Sequence, residues 1–141
     1  MSAQNWVVAR ANCTPADNMT ELVKRLKKDI RSYNGLSSDK RGKRQFKADL
    51  ENGELVIRRM VESPVNTGGH YVVEDEDYIG DVIRVRRDDA TITACRADKA
   101  HVEIVPDWNP ETQACDLKID GKPLPVWRVS ELILGEFLFE S

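Results

Sequence analysis

The chain has 141 residues, of which 40% are hydrophobic and 32% charged, and its formal net charge at pH 7 is -3. This length and balance are ordinary for a soluble globular protein, so we expect one domain over residues 1–141 with a substantial apolar core. No run of about eighteen apolar residues occurs, which predicts that the chain has no membrane-spanning helix.

The first long element is an amphipathic helix in TPADNMTELVKRLKKDIRSYNG. Thr14 suits the N-cap, Pro15 the first helical position and Asp17 the place of a capping carboxylate. Asn34 and Gly35 predict a left-handed C-terminal end. Apolar residues recur along one face with the helical period, and this face should be buried. Its residues are Met19, Leu22, Val23, Leu26, Ile30 and Tyr33.

After this helix, apolar residues recur at every second position, which indicates strands joined by tight turns. Asn52-Gly53 and Asp120-Gly121 are residue pairs typical of two-residue type I′ hairpin turns. The cross-strand pairs predicted from them are Leu50 with Leu55, Ala48 with Ile57, Lys47 with Arg58, Leu117 with Leu124, and Cys115 with Val126.

Between these two hairpins, DVIRVRRDDATITACR predicts a third. We place its turn at Asp88-Asp89. The predicted pairs are Ile83 with Ala94 and Val85 with Ile92. HYVV and HVEIV add further short strands.

The last element is a short helix in VSELILGEFLF, with Ser130 as its N-cap and Leu132, Ile133 and Phe137 on one side. The order is therefore helix, six to eight strands, helix. Because strands and helices do not alternate, a parallel sheet is not expected. We predict an α+β fold: a long N-terminal amphipathic helix packed on a twisted antiparallel β-meander, with a short C-terminal helix.

Positive charge is concentrated early in the chain, where residues 24–47 hold ten cations against Asp29 and Asp39. Four of the cations fall on the helix face opposite the apolar stripe, others form the run after the helix, and one lies on the first hairpin. We predict that these residues form one basic binding face, namely Lys24, Lys27, Lys28, Arg31, Lys40, Arg41, Lys43, Arg44, Lys47 and Arg58.

The basic face allows two interpretations. It could track the phosphates of a nucleic acid, or it could meet carboxylates, either of a partner or of the acidic run at residues 74–77. We favour carboxylates, because Tyr33 and Phe46 are the aromatic residues interleaved with the cations and Tyr33 belongs to the apolar stripe. Trp108, between two prolines in a predicted polar loop, is a second candidate contact for a partner, whereas Trp6 and Trp127 should pack in the core.

Motifs for chemistry are absent from the sequence. There is no GxSxG or HExxH pattern, and NTGGHYVV lacks the spacing of a phosphate-binding loop. His70 and His101 are the two histidines, and neither has a cysteine or carboxylate at the spacing of a zinc site. We therefore predict no enzyme activity, no metal and no cofactor.

Three cysteines, Cys13, Cys95 and Cys115, are far apart and form no CxxC pair. We predict that all three are reduced. The N-terminal stretch lacks the pattern of a signal peptide, so we expect a cytoplasmic protein.

The functional hypothesis from sequence is a non-catalytic cytosolic interaction module that binds a protein partner, or itself, through the charged helix face. The first alternative is a nucleic-acid-binding protein that uses residues 24–47. The second alternative is a small-ligand carrier with a pocket between helix and sheet.

Overall fold

The computed structural model describes residues 5–42, 44–62, 71–73, 82–97 and 99–139. These residues form four helices and eight strands. In chain order, the elements are α1 (Trp6–Ala11), α2 (Pro15–Asn34), α3 (Ser38–Arg41), β1 (Arg44–Glu51), β2 (Glu54–Glu62), β3 (Tyr71–Val73), β4 (Ile83–Arg87), β5 (Ile92–Arg96), β6 (Lys99–Asn109), β7 (Ala114–Ile119), β8 (Lys122–Leu124) and α4 (Val126–Phe139).

The predicted long helix is α2, and its start is confirmed. The side chain of Thr14 accepts a hydrogen bond from the backbone N–H of Asp17 at 3.1 Å and donates one to the Asp17 carboxylate at 2.9 Å. The predicted end is wrong in one respect, because Gly35 has right-handed backbone angles. All six predicted stripe residues are buried, namely Met19, Leu22, Val23, Leu26, Ile30 and Tyr33.

All strand pairs in the sheet are antiparallel, in the order β1-β2-β4-β5-β6-β7-β8, and β3 also pairs with β2. Asn52 and Gly53 both have positive φ, and so do Asp120 and Gly121, as type I′ turns require. The pairs confirmed at these two turns are Leu50 with Leu55, Ala48 with Ile57, Lys47 with Arg58, and Leu117 with Leu124. The predicted pairing of Cys115 with Val126 is wrong, because β8 ends at Leu124 and Val126 begins α4.

The third hairpin forms, but its predicted register is wrong by two residues. Val85 lies opposite Ala94, and Arg87 lies opposite Ile92. The turn is longer than predicted because the Asp88 carboxylate accepts hydrogen bonds from the backbone N–H groups of residues 90 and 91, at 2.8 and 2.7 Å. A shift of two residues keeps every side chain on its predicted face of the sheet.

The C-terminal helix α4 begins at Val126, five residues before the start expected from an N-cap at Ser130. It follows directly after Pro125, whose carbonyl accepts hydrogen bonds from the N–H groups of Arg128 and Val129. Ser130 is therefore not an N-cap. It is buried inside the helix, and its hydroxyl donates a 2.6 Å hydrogen bond to the carboxylate of Asp29.

Helices α2 and α4 form a layer over one face of the sheet. They run in the same direction, because Asp29 contacts Ser130 and, further toward the C-terminus of both helices, the ring of Tyr33 meets that of Phe139 at 5.4 Å. Side chains from both helices pack against the inner face of β1, β2, β4, β5 and β6. The α+β architecture predicted from sequence is confirmed.

One edge of the sheet is covered by a side chain of α2. Asn34 accepts a hydrogen bond from the N–H of Phe46 at 3.0 Å and donates one to the carbonyl of Phe46 at 2.8 Å. The amide therefore pairs with edge strand β1 as a neighbouring strand would. Such covering protects exposed edges from pairing with other chains.

Trp6 and Trp127 do not lie where we predicted. Trp6 and Trp127 are 51% and 53% exposed, so neither is a core residue. Over the residues that the structure describes, no helix combines the length and apolar character needed to cross a bilayer.

Candidate functional site

The outward face of α2 carries four of the predicted cations. Lys24 is exposed and forms a 3.4 Å ion pair with Glu21. Lys28 and Arg31 are exposed and Lys27 is half-buried, and these three have no ion-pair partner among the described residues. We call Lys24, Lys27, Lys28 and Arg31 the α2 cation face.

Two of the other predicted cations, Arg41 and Arg44, bind backbone carbonyls within the fold. Arg41 is only 7% exposed, and its guanidinium donates to the carbonyls of Leu36 at 2.9 Å and Arg44 at 2.6 Å. Arg44 is half-buried, and its guanidinium donates to the carbonyl of Leu138 at 3.5 Å. These groups close the connection between α3 and β1 and are not available to a partner.

The remaining predicted cations are separated from the α2 cation face or lie outside the described residues. Lys40 is exposed on α3, and Lys43 is outside the described residues. Lys47 pairs with Asp49 at 3.5 Å. Arg58 forms a bidentate pair with Glu51, which lowers the pKa of the Glu51 carboxyl and raises that of Arg58. The acidic run at residues 74–77 also lies outside the described residues.

A groove of about 640 Å³ runs beside the α2 cation face, between the first half of α2 and the β7–β8 hairpin. Lys24, Arg25, Lys28 and Glu21 stand on its helix side, and Asp116 stands on the β7 side. Lys24 pairs with Glu21 and Arg25 pairs with Asp29, so Lys28 is the cation of this lining that has no ion-pair partner among the described residues. Its walls also present apolar groups, contributed by Leu22, Leu117, Pro123, Leu124, Pro125 and Val126. We call it the β7–β8 groove. A groove with apolar walls, three cations and two carboxylates suits a ligand that carries both charged and apolar groups.

The sequence did not predict the covalent bond beside this groove. Cys13 and Cys115 form a disulfide, with their Cα atoms 5.3 Å apart. Our prediction of three reduced cysteines is therefore wrong, and only Cys95 is free. Cys115 lines the β7–β8 groove, and the side-chain amide of Asn18 donates to its sulfur at 3.4 Å.

A second, apolar groove of about 280 Å³ lies between α2 and α4. Around it stand three exposed large hydrophobic residues: Leu36, Trp127 and Phe139. Asp29 separates it from the β7–β8 groove, because its carboxylate binds both Arg25, at 3.0 Å, and Ser130. The two grooves follow one another along the same side of α2.

Trp108 is not in a loop, which corrects the sequence prediction. It lies in the last part of β6, is half-buried and pairs with Cys115 of β7. Pro106, which suggested a loop, is accommodated opposite Leu117 in the same ladder. The local sequence around Trp108 carries no signal that distinguishes the end of a strand from a loop.

Within the described ranges, no group of three or more His, Cys, Asp or Glu side chains could hold a metal ion. His101 is exposed, and its Nε2 lies 2.9 Å from the carbonyl of Leu132. His70 lies outside the described residues.

No family model matches the chain, and searches of curated proteins and of solved structures find no significant relative.

Sequence reasoning identified Lys24 and Lys28 at the groove but missed its other side. Asn18, Arg25, Cys115 and residues 123–126 meet there because α2 packs next to the β7–β8 hairpin about a hundred residues later. The two prolines, Pro123 and Pro125, signalled only an edge strand.

Proposed function

We propose that the protein is a non-catalytic interaction module that binds an acidic segment of a protein partner along α2. The observation that carries this proposal is the α2 cation face, where Lys27, Lys28 and Arg31 have no ion-pair partner among the described residues and where Lys28 also lines the β7–β8 groove. A carboxylate-rich segment would neutralise these cations, and its apolar side chains would enter the groove.

Cation placement supports a protein partner over a nucleic acid. Arg41 and Arg44 bind backbone carbonyls, so the extended basic strip that would follow a phosphate backbone is interrupted. The proposed location is the cytoplasm, where thiol pools keep most cysteines reduced and a disulfide is usually transient.

The direct test is selection from a random peptide display library against the purified protein at 150 mM salt. We expect acidic peptides whose binding is lost in a variant with Lys24, Lys27, Lys28 and Arg31 changed to Glu. The matched control makes the same charge change at four exposed cations away from the groove, Lys47, Arg86, Arg87 and Lys99. Equal binding by both variants, or selection without acidic residues, would contradict the proposal.

Nucleic acid is tested by fluorescence anisotropy with labelled DNA and RNA between 50 and 200 mM salt. If four or five cations met phosphate, affinity would fall roughly a hundredfold or more over that range. We expect only weak binding at low salt. Submicromolar binding at 150 mM salt that the α2 variant lacks would favour the nucleic-acid hypothesis instead.

The second candidate function is a small-ligand carrier, which the volume of the β7–β8 groove favours. Ligand sites measure about 300–1,000 Å³, and this groove is about 640 Å³. It lies at the flank of α2, because the space between α2 and the sheet is filled by core side chains such as Leu22, Leu26 and Ile57. A thermal-shift screen against anionic metabolites tests this, and stabilisation that requires Lys24 and Lys28 would support it.

A further inference from the structure

Helix α1 depends on a covalent bond for its place in the fold. None of its residues, Trp6–Ala11, is buried, and its principal neighbour is β7. The apolar side chains of Trp6, Val7 and Val8 are each more than half exposed. Six residues are also too few to form a stable helix in water on their own. The Cys13–Cys115 disulfide, directly after α1, ties this segment to β7.

Both sulfurs are placed for exchange with an external thiol. Cys13 and Cys115 are half-buried, so the bond is not sealed in the core. Cys115 lines the solvent-open β7–β8 groove, and Asn18 directs a side-chain N–H at its sulfur from 3.4 Å. Negative charge that develops on the Cys115 sulfur is therefore stabilised by a hydrogen bond and by contact with water, which favours Cys115 as the leaving group.

We propose that Cys13–Cys115 is a reversible thiol–disulfide exchange site, that a dithiol reduces it, and that its reduction releases α1 from β7. One thiolate of the dithiol attacks the Cys13 sulfur. The Cys13–Cys115 bond breaks, and its electron pair leaves with Cys115, which takes a proton from water. The second thiol of the reductant then displaces Cys13, so the protein gains two electrons and two protons while the dithiol becomes a disulfide.

Release should be local, because α2 keeps its own start and its own buried face. The Thr14 side chain still caps Asp17, and the stripe from Met19 to Tyr33 still packs in the core. The reduced protein would therefore display a mobile N-terminal segment with Trp6 on an otherwise folded domain. This inference does not depend on the proposed acidic partner.

The test is trypsin cleavage after Arg10, compared between oxidised protein and protein reduced with dithiothreitol, with near-UV circular dichroism to follow the fold. We expect cleavage about tenfold faster after reduction, with the near-UV spectrum retained. Cys115→Ser should be cleaved at the fast rate without reductant. Cys95→Ser, which leaves the disulfide intact, should respond to reduction as the unaltered protein does.

The role of Asn18 is tested by the rate of reduction. Asn18→Asp removes the N–H donor and places a negative charge near the sulfur, so reduction should be about threefold slower or more. Thr20→Asp, an exposed position on the same helix, adds the same charge as a control. Equal rates of disulfide reduction for the two variants would show that the Asn18 side chain does not assist the exchange.

Three results would overturn the proposal itself. The first is a thiol count that shows no disulfide even after treatment with oxidised glutathione. The second is an unchanged rate of cleavage after Arg10 in fully reduced protein. The third is loss of the whole near-UV spectrum on reduction, which would mean that the tertiary structure of the whole domain requires the disulfide.

Discussion

Replacing Asn34 with alanine should lower the free energy of unfolding by about 2–3 kcal/mol. The amide makes two hydrogen bonds to Phe46, at 2.8 and 3.0 Å, and Phe46 is only 1% exposed. Each bond contributes about 1 kcal/mol net, and a buried N–H or carbonyl left without a partner costs about 1–3 kcal/mol. The two groups together would cost about 2–6 kcal/mol, and partial access of water to the edge strand brings the loss to the lower part of that range.

Urea denaturation followed by circular dichroism measures this loss. The midpoint should fall while the slope stays constant, because the change does not alter how much surface unfolding exposes. Ser32→Ala is the matched control, since Ser32 is exposed near the same end of α2 and should change stability by less than about 0.5 kcal/mol. If Asn34→Ala were equally neutral, the amide would not be holding β1, and the edge would be satisfied by solvent.

Three further predictions concern a turn, metal and pH. Gly53→Val should lower the free energy of unfolding by about 1 kcal/mol or more, because a β-branched residue resists the positive φ of this type I′ position. Gly35→Ala is the control, since Gly35 has right-handed backbone angles and the change should be tolerated. An unchanged denaturation midpoint for Gly53→Val would contradict this prediction. EDTA should leave the melting temperature unchanged, because no metal-binding cluster occurs in the described part of the chain, and a clear loss of stability would overturn this. Hydrogen bonds from the N–H groups of Ala90 and Thr91 lower the pKa of Asp88, so its contribution to stability is present above the ordinary aspartate pKa and is lost as pH falls through the lowered one. Asp88→Ala should therefore destabilise the protein at pH 7 and progressively less as pH falls below the ordinary aspartate pKa, and a loss in urea denaturation that does not change with pH would refute the assignment.

Features that depend on a few neighbouring residues were predictable from the sequence. The start of α2, its apolar stripe and the turns at Asn52-Gly53 and Asp120-Gly121 are each specified by residues within one or two turns of chain. The α+β class followed from their order. In each case a local backbone preference and the hydrophobic period agree.

What the sequence failed to predict depends on distant or competing contacts. The two cysteines of the disulfide are separated by 102 residues, and nothing in the local pattern relates them. Arg41 was placed with the surface cations, but it is buried and its guanidinium donates hydrogen bonds to the backbone carbonyls of Leu36 and Arg44. The register at Asp88 changed because its side chain made a longer turn than the two-residue turn that we predicted.

The candidate site was predictable only on its α2 side. Lys24 and Lys28 follow from the helical period, since they lie opposite the apolar stripe. The facing wall comes from β7, β8 and the start of α4, and its position is set by the packing of the whole sheet. The spacing of the cations along α2 therefore predicted the α2 cation face, but it could not predict the β7–β8 groove beside it.

The layer that α2 shares with α4 has a consequence for how the chain acquires its structure during synthesis. The hydrogen bond from Ser130 to Asp29 joins residues 101 positions apart, and five apolar side chains of α4 complete the core beneath α2. While the ribosome is still making the intervening strands, the apolar stripe of α2 has no finished surface to cover it. Such long-range closure slows folding and leaves hydrophobic side chains open to chaperones or to neighbouring nascent chains. The apolar stripe of α2 is therefore fully covered only after α4, the last helix of the described fold, has been translated.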